Sequence, residues 1–471
     1  MEKQSLRSLM LDQLPFEASK EQLEVIRALE VFCLKPDASH LFMLKGYAGT
    51  GKTSIIGALV KSLPHFGKTA ALLAPTGRAA KVITSYSGRK AFTIHKKIYQ
   101  TSSSKDGKLN FRLRKNNASH TIFIVDEASM IHDGLDFDGR SLLEDLLLFV
   151  NSGNKCGIIL VGDTAQLPPV GIEISPALDP EFLEYRFHIN VFSFEMTQVH
   201  RQAAFSGILH NATMIRNHLE SGATTIPKFD LSGYEDIIRV QESYELEDAL
   251  NESYDAVDVE GTMVVCRSNK RANAYNQQIR FKIRWKEEEI SAGDYLMVVK
   301  NNYFWLQPNS KPGFIANGDI IEVMRINTIH DELYGFRFAE MTVRLVDYPD
   351  EPELETIVIL DTLQLDSASL SFAASKQLYE EVAKDYMDVS GYQRLLKIKS
   401  NPYFNALQVK FAYAVTCHKA QGGQWENVIV EQSYLADDTV NKEYLRWLYT
   451  ALTRATSKLY LVGFKDSFFK E

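Results

Sequence analysis

Residues 46–53 read GYAGTGKT and hold Gly46, Gly51, Lys52 and Thr53 at the spacing of a phosphate-binding loop, GxxxxGK[ST]. Glycines in such a turn let backbone N–H groups face inward around phosphate oxygens at a helix N-terminus, where the dipole favours anions. Ala48, Gly49 and Thr50 fall within that lining. Lys52 is placed to reach the β- and γ-phosphates, and the Thr53 hydroxyl to bind Mg2+. TIFIVDEASM (121–130) ends an apolar run on Asp126, a second Mg2+ ligand in this pattern. Glu127 follows directly, as a group able to orient or deprotonate a water. An acid beside the metal ligand favours hydrolysis of ATP over transfer to a small molecule. In GIILVGDTAQLPPVG (157–171) Gln166 is placed to touch a γ-phosphate, and LRWLYTALTRATSKLYLV (445–462) presents Arg454 between apolar flanks.

These residues need particular elements to position them. HLFMLK before the loop reads as a short buried strand, and TSIIGALVKSL after it has helical spacing. TIFIV and GIILVG read as further strands, each ending in a polar loop. Arg454 comes so late in the chain that it completes the site only if a second domain folds back on the first. The site then lies in a cleft that closes on ATP and opens after hydrolysis, the geometry of a motor. Two blander readings stand beside it. An arginine is most often a surface ion-pair partner, and a phosphate loop also serves regulatory proteins that hydrolyse ATP only as a switch.

The bulk composition narrows the setting. At 471 residues the chain calls for two to four domains. Hydrophobic content of 45% with 24% charged residues belongs to a globular protein, and no apolar run approaches membrane-spanning length. The start, MEKQSLRSLMLDQ, lacks the apolar stretch of a signal peptide, so the expected location is cytoplasmic, nucleoid-associated in a bacterium. Four scattered cysteines (33, 156, 266, 417) with no CxxC pair argue against a zinc site or a disulfide framework. A net charge of −8 speaks against nonspecific coating of nucleic acid, yet a local basic groove stays compatible with it.

VDEASM, GDTAQLPPV, TCHKAQGGQWENV and YTALTRA follow GYAGTGKT in this order, joined by APTGRAAK (74–81), FTIH (92–95), MTQVHRQ (196–202), VVCRSNKRANAYNQQIR (264–280) and FIANGDIIEV (314–323). Together they resemble the superfamily-one DNA helicases, in the branch of RecD-like, phage Dda-like and Pif-type enzymes, over residues 19–462. The resemblance implies an α/β fold with two RecA-like P-loop domains built on parallel sheets, a small hairpin subdomain and an SH3-like β-barrel insertion. It implies ATP and Mg2+ as cofactors, and single-stranded DNA and duplex–single-strand junctions as partners. No membrane is involved, and protein partners in a repair or replication complex fit the same branch. The activity implied is 5′-to-3′ movement on single-stranded DNA with unwinding of duplex, driven by ATP hydrolysis. An RNA-directed helicase of the same superfamily and the ATPase subunit of a RecD-like nuclease complex are the alternatives.

By motif position Gln166 and Arg201 resemble γ-phosphate sensors and Arg454 an arginine finger, with Gly422 among the nucleotide contacts. Thr76, Arg78, Thr93, His95, Thr416, His418 and Lys419 are implied to line the DNA track. Gln22 matches the glutamine that reads adenine, yet SKEQ (19–22) is also a capping box; the resemblance favours adenine. Gln424 stands where many relatives carry an acidic or hydroxyl residue, which leaves its nucleotide contact open.

The expected domains are 1–195 and, for the second RecA-like unit, 196–280 with 406–471; residues 281–405 form the insertion, with a helix at SKQLYEEVAKDYM. Within the first, 96–120 forms a hairpin, since KDGK signals a tight turn and LNFRLR alternates. It is either a duplex-splitting pin or a solvated surface hairpin. The aromatics of NNYFWLQ stack on bases or fill the barrel core, and core is favoured. The acidic run QESYELEDALNESYDAVDVEG reads as a solvated connection.

Overall fold

The computed structural model describes residues 4–37, 39–103, 109–134, 140–199, 206–306, 310, 312–432 and 440–470. Arg201, with Lys105 and Lys108 of the expected hairpin turn, lies outside them. The strands of the first half are β1 (His40–Gly46), β2 (Thr69–Ala74), β3 (Ala91–Thr93), β4 (Tyr99–Ser103), β5 (Leu109–Leu113), β6 (Thr121–Val125), β7 (Gly157–Gly162) and β8 (Asn190–Met196). Six of these form one sheet in the order β3-β2-β6-β7-β1-β8, every pair parallel.

Side-chain alternation explains the continuous apolar runs. Phe42, Leu44, Ile122, Ile124, Ile159 and Val161 face one core with helices Lys20–Leu34, Lys52–Ser62 and Gly77–Ser87. Leu41, Met43, Phe123, Val125, Ile158 and Leu160 face the other, under helix Leu142–Asn151. A parallel sheet covered on both faces needs apolar residues at every position. The switch from strand to phosphate loop then falls at the carboxyl edge, where such sheets bind ligands. Strands β4 and β5 pair antiparallel, Ser103 opposite Leu109, as the alternation of LNFRLR predicts.

The second half contributes β9 (Ile237–Val240), β10 (Thr262–Cys266), β11 (Tyr295–Val298), β12 (Ile320–Leu333), β13 (Phe336–Leu345), β14 (Leu354–Ile359), β15 (Leu407–Phe411), β16 (Ala414–Thr416), β17 (Trp425–Glu431) and β18 (Ala455–Val462). A second parallel sheet has the order β16-β10-β17-β18-β9, and β11 to β15 close a barrel. The two parallel sheets fit two RecA-like domains and the five-strand barrel fits the SH3-like insertion. In the barrel, Tyr334 and Gly335, both at positive φ, make the two-residue turn between β12 and β13. Such turns match the twist of a hairpin. The last barrel strand, β15, lies in the 406–471 stretch that sequence alone places with the second sheet.

One expectation is corrected. The acidic run is the helix Ser243–Gly261, and Ala249, Leu250, Tyr254 and Val259 bury themselves in the second domain's core. Its acids sit on the solvent face of a packed helix, so it is not a solvated connection. The barrel is tied to its domain by Arg280, which donates to both Asp294 oxygens (3.1 and 2.9 Å), while the Tyr413 hydroxyl donates to the same carboxylate at 2.8 Å. All three side chains are buried. No helix among the described residues is long and apolar enough to cross a membrane.

Candidate functional site

The phosphate loop joins β1 to helix Lys52–Ser62. Gly51, at φ +89°, leaves no room for a side chain, since a Cβ there would lie 2.6 Å from Gln22 Nε2. The Gln22 amide makes one bond at each end: Nε2 donates to Thr50 O (2.9 Å) and Oε1 accepts from Ser19 N (2.9 Å). The capping box and a brace on the phosphate loop are thus one side chain, and an adenine contact would use the second N–H and the second lone pair of the same amide. Lys52 Nζ donates to the loop carbonyls Gly46 O and Tyr47 O, partners that a phosphate can replace.

The loop opens into a cleft of about 490 Å3. Ala48, Gly49, Gly51, Lys52, Thr53, Asp126, Glu127 and Gln166 line it from the first domain. Gln424, Thr453, Arg454 and Thr456 line it from the second. Lys52 and Arg454 therefore share one cavity, as the late arginine required. Asp126, at the end of β6, accepts from Tyr86 Oη (2.8 Å) and from the Glu127 amide (2.8 Å). Glu127 holds a left-handed backbone, φ 53°, a conformation that costs a non-glycine residue about 1–2 kcal/mol. Burial pushes its carboxyl up to about 6; Arg454 opposes that shift, and Asp126 adds to it. Arg454 Nη1 lies 4.0 Å from Glu127 Oε1. The guanidinium is itself buried, donating to Thr450 O (3.0 Å), Gly423 O (3.2 Å) and Thr453 Oγ1 (3.2 Å).

Gln166 borders the cleft with its Oε1 buried and without a hydrogen-bond partner. Gly422, expected beside nucleotide, instead packs against Thr76 and Ala79 of the first domain: a Cβ on it would be 2.9 Å from Ala79 Cβ and 3.2 Å from Thr76 Oγ1. Gln424, two residues on, is the one that reaches the cleft lining.

The residues expected along a strand track cluster at the seam of the domains and barrel. Thr76 and Thr93 cap short helices through their hydroxyls, accepting from Ala79 N (3.2 Å) and Lys96 N (3.3 Å). The Arg78 guanidinium lies 4.3 Å over the Trp425 ring, joining the first domain to the second. The His95 ring stands 5.7 Å from Tyr99 and 6.5 Å from Phe314 of the barrel. Thr416 ends β16, just before His418 and Lys419 on the single turn Cys417–Ala420. Lys419 donates to Asn317 Oδ1 on the barrel, and burial with the nearby Lys410 charge brings its ammonium down to about 8. Of the NNYFWLQ aromatics, Trp305 packs inward with Nε1 on Asn405 O (2.8 Å), while Phe304 stays exposed.

Sequence reasoning passed over Tyr86, Trp425 and Asn317, and above all Tyr449, whose hydroxyl donates to Asp163 Oδ2 (2.7 Å) and accepts from Ala48 N (2.8 Å). Tyr449 sits inside YTALTRA, but a tyrosine on a helix gives no sign that its hydroxyl will cross to another domain.

Residues 17–225 match a family model described as AAA domain, and residues 411–462 one described as UvrD-like helicase C-terminal domain. The chain is similar to uncharacterized protein R530 of Acanthamoeba polyphaga mimivirus, 24% identical over 512 residues, covering 94% of this chain and 98% of that one. It is similar to the ATP-dependent RecD2 DNA helicase of Deinococcus radiodurans, 32% identical over 196 residues, covering 41% of this chain and 23% of that one. Similarity to the ATP-dependent DNA helicase Dda of enterobacteria phage T4 is 24% over 409 residues, 82% of this chain and 86% of that one. A solved Pif1 helicase from Bacteroides, in complex with ADP-AlF3 and ssDNA, superposes over 97% of this chain and 95% of that one at 14% identity and a TM-score of 0.47. The two family models, the RecD2 and Dda relatives and the ordered motifs agree in supporting a superfamily-one helicase of the Pif/RecD/Dda-like type.

Proposed function

We propose that this chain is an ATP-dependent DNA helicase that moves 5′-to-3′ on single-stranded DNA and unwinds duplex ahead of it. The observation that carries the reading is the shared cleft, where Lys52 from the first domain and Arg454 from the second border one cavity. Lys52 exchanges its loop carbonyls for the β- and γ-phosphates. Glu127 orients the attacking water, and its burial suits a base that must gain a proton during the step. Arg454, with Gln166 and Arg201, answers the charge on the transferred phosphoryl. Domain closure sets these groups, and hydrolysis relaxes them, so each turnover changes the grip on the strand.

Thr53 and Asp126 are hard oxygen donors bordering the same cleft, and they fit Mg2+. Held by Thr53 and Asp126, the ion would supply positive charge to the phosphate oxygens of the bound nucleotide.

The choice of DNA follows the RecD2 and Dda relatives, both DNA helicases by name. Thr76, Arg78, Thr93, His95, Thr416, His418 and Lys419 serve the strand track in this reading, with 1–195 as the first motor domain, 196–280 plus the chain after β15 as the second, and the insertion running from 281 through β15. A strand-displacement assay with 5′- and 3′-tailed duplexes tests it. Displacement of the 5′-tailed substrate alone is expected. Preference for the 3′ tail overturns the polarity, and ATPase activity that responds to RNA but to no DNA oligonucleotide overturns the substrate.

A further inference from the structure

The loop that carries Gln166 belongs to the first domain by sequence, yet the second domain grips it. Leu167, the next residue, has both backbone groups taken across the boundary. Its N–H donates to Thr450 Oγ1 (2.8 Å), and its carbonyl accepts from Gln421 Nε2 (2.6 Å). At the other end of the loop Asp163 accepts from the Tyr449 hydroxyl at 2.7 Å. Leu167, Thr450, Gln421, Tyr449 and Asp163 are all buried, so water cannot substitute for any of these bonds without opening the seam. Between the two anchor points sits Gln166, with its Oε1 buried and unpartnered beside the cleft.

The same turn of helix holds the arginine. The Thr450 carbonyl accepts from Arg454 Nε at 3.0 Å, while the Thr450 hydroxyl holds the loop. One residue thus bonds Arg454 through its carbonyl and, through its side chain, the backbone of Leu167, the residue next to Gln166. Gln421 follows directly on Cys417–Ala420, the turn that bears His418 and Lys419. We propose that Thr450, with Tyr449 and Gln421, is a positioning residue that makes the Gln166 loop move with the second domain, so that Gln166 and Arg454 reach or leave the phosphate as one unit. This rests on reading Gln166 as a γ-phosphate contact. It goes further by assigning the setting of that glutamine to the opposite domain, and Gln421 links that setting to the strand track.

The test is a double-mutant cycle on DNA-stimulated ATP turnover. Thr450→Val keeps shape and the carbonyl bond to Arg454 but leaves the Leu167 N–H unpaired. It is expected to lower kcat by ~10-fold or more, with KM for ATP within ~3-fold, because one buried hydrogen bond is lost. Thr450→Ser, which restores the acceptor, is expected to recover most of the loss. In a Gln166→Ala background Thr450→Val is expected to change kcat by less than ~2-fold, since the group it positions is gone. Additive effects in the double variant overturn the proposal, because a merely structural threonine lowers turnover whatever stands at 166. Gln421→Leu attacks the other side of the clamp and carries the same cycle if Thr450→Val does not fold. If Gln166→Ala itself leaves turnover untouched, the reading beneath falls and the proposal with it. That outcome is distinct from one in which Gln166→Ala is damaging and Thr450→Val is silent, which overturns the clamp alone.

Discussion

Arg454 shows how little an isolated residue says about itself. Its guanidinium is held by Thr450 O, Gly423 O and Thr453 Oγ1, all from its own domain, and only the 4.0 Å approach to Glu127 reveals what it faces. Replacing Arg454 by Ala should leave nucleotide affinity nearly intact and cut DNA-stimulated turnover by ~10³-fold or more, the range for arginine fingers. A quench-flow measurement showing undiminished hydrolysis would place the finger elsewhere. Lys419 makes a prediction of a different kind. Burial and the neighbouring Lys410 hold its ammonium near 8, and Asn317 is its partner. A phosphate binds the charged form, so this contact is fully present below pH 8 and fades as pH rises through it. Affinity for a single-stranded oligonucleotide should fall between pH 7 and pH 9, and Lys419→Arg, charged throughout, should flatten that slope. An unchanged slope in the variant removes Lys419 from the track. The types and spacings of the phosphate-site residues were legible because phosphate chemistry admits few solutions. The bonds of Tyr449 and Thr450 were not, since they exist only once two domains have met.

At the scale of elements, legibility followed the strength of the local constraint. Strands β1, β6 and β7 announce themselves because a sheet covered on both faces needs unbroken apolar runs. The helix Ser243–Gly261 did not, because Ala249, Leu250, Tyr254 and Val259 are sparse among acids and their packing is tertiary. The barrel likewise gains β15 from beyond the expected boundary, since strand pairing between distant segments leaves no local mark. The hairpin β4–β5 was legible from alternation, while its role depends on what approaches it. Arg112, Arg114 and Lys115 are exposed at its base, suited to phosphate. Deleting residues 103–110 should abolish duplex unwinding and leave DNA-stimulated ATPase within ~2-fold of the intact chain, since none of the cleft-lining residues is lost. A shortened protein that still separates strands would reduce the hairpin to a solvated surface feature.

For the molecule as a whole, the function turns on a seam that must close tightly and still release. Arg78 stacks on Trp425 across it, and Gly422 packs against Thr76 and Ala79, so the start of helix Gly77–Ser87 abuts the second domain. The far end of that helix carries Tyr86, bonded to Asp126 in the nucleotide cleft. The seam with the second domain and the Asp126 side of the cleft are therefore two ends of one helix, and in the proposed reading closure over either is felt at the other. Gly422 is a tight point of the seam. Its φ of +72° disfavours any side chain, and a Cβ would press within 2.9 Å of Ala79 Cβ, which is not the end of a flexible side chain. Gly422→Ala should thus act as a wedge between two intact domains. Each hydrophobic core is untouched and the backbone strain of about 1–2 kcal/mol is borne open or closed, so the thermal unfolding transition should move by no more than a few degrees. DNA-stimulated turnover should fall by ~10-fold or more, since the clash with Ala79 is met only when the domains are together. If turnover drops only in step with a large loss of stability, the residue serves folding and not closure. A wedge at Gly422 also separates Gln421 from Leu167, so its effect and that of Thr450→Val should not add. That non-additivity would tie the seam to the γ-phosphate contact in a single motion.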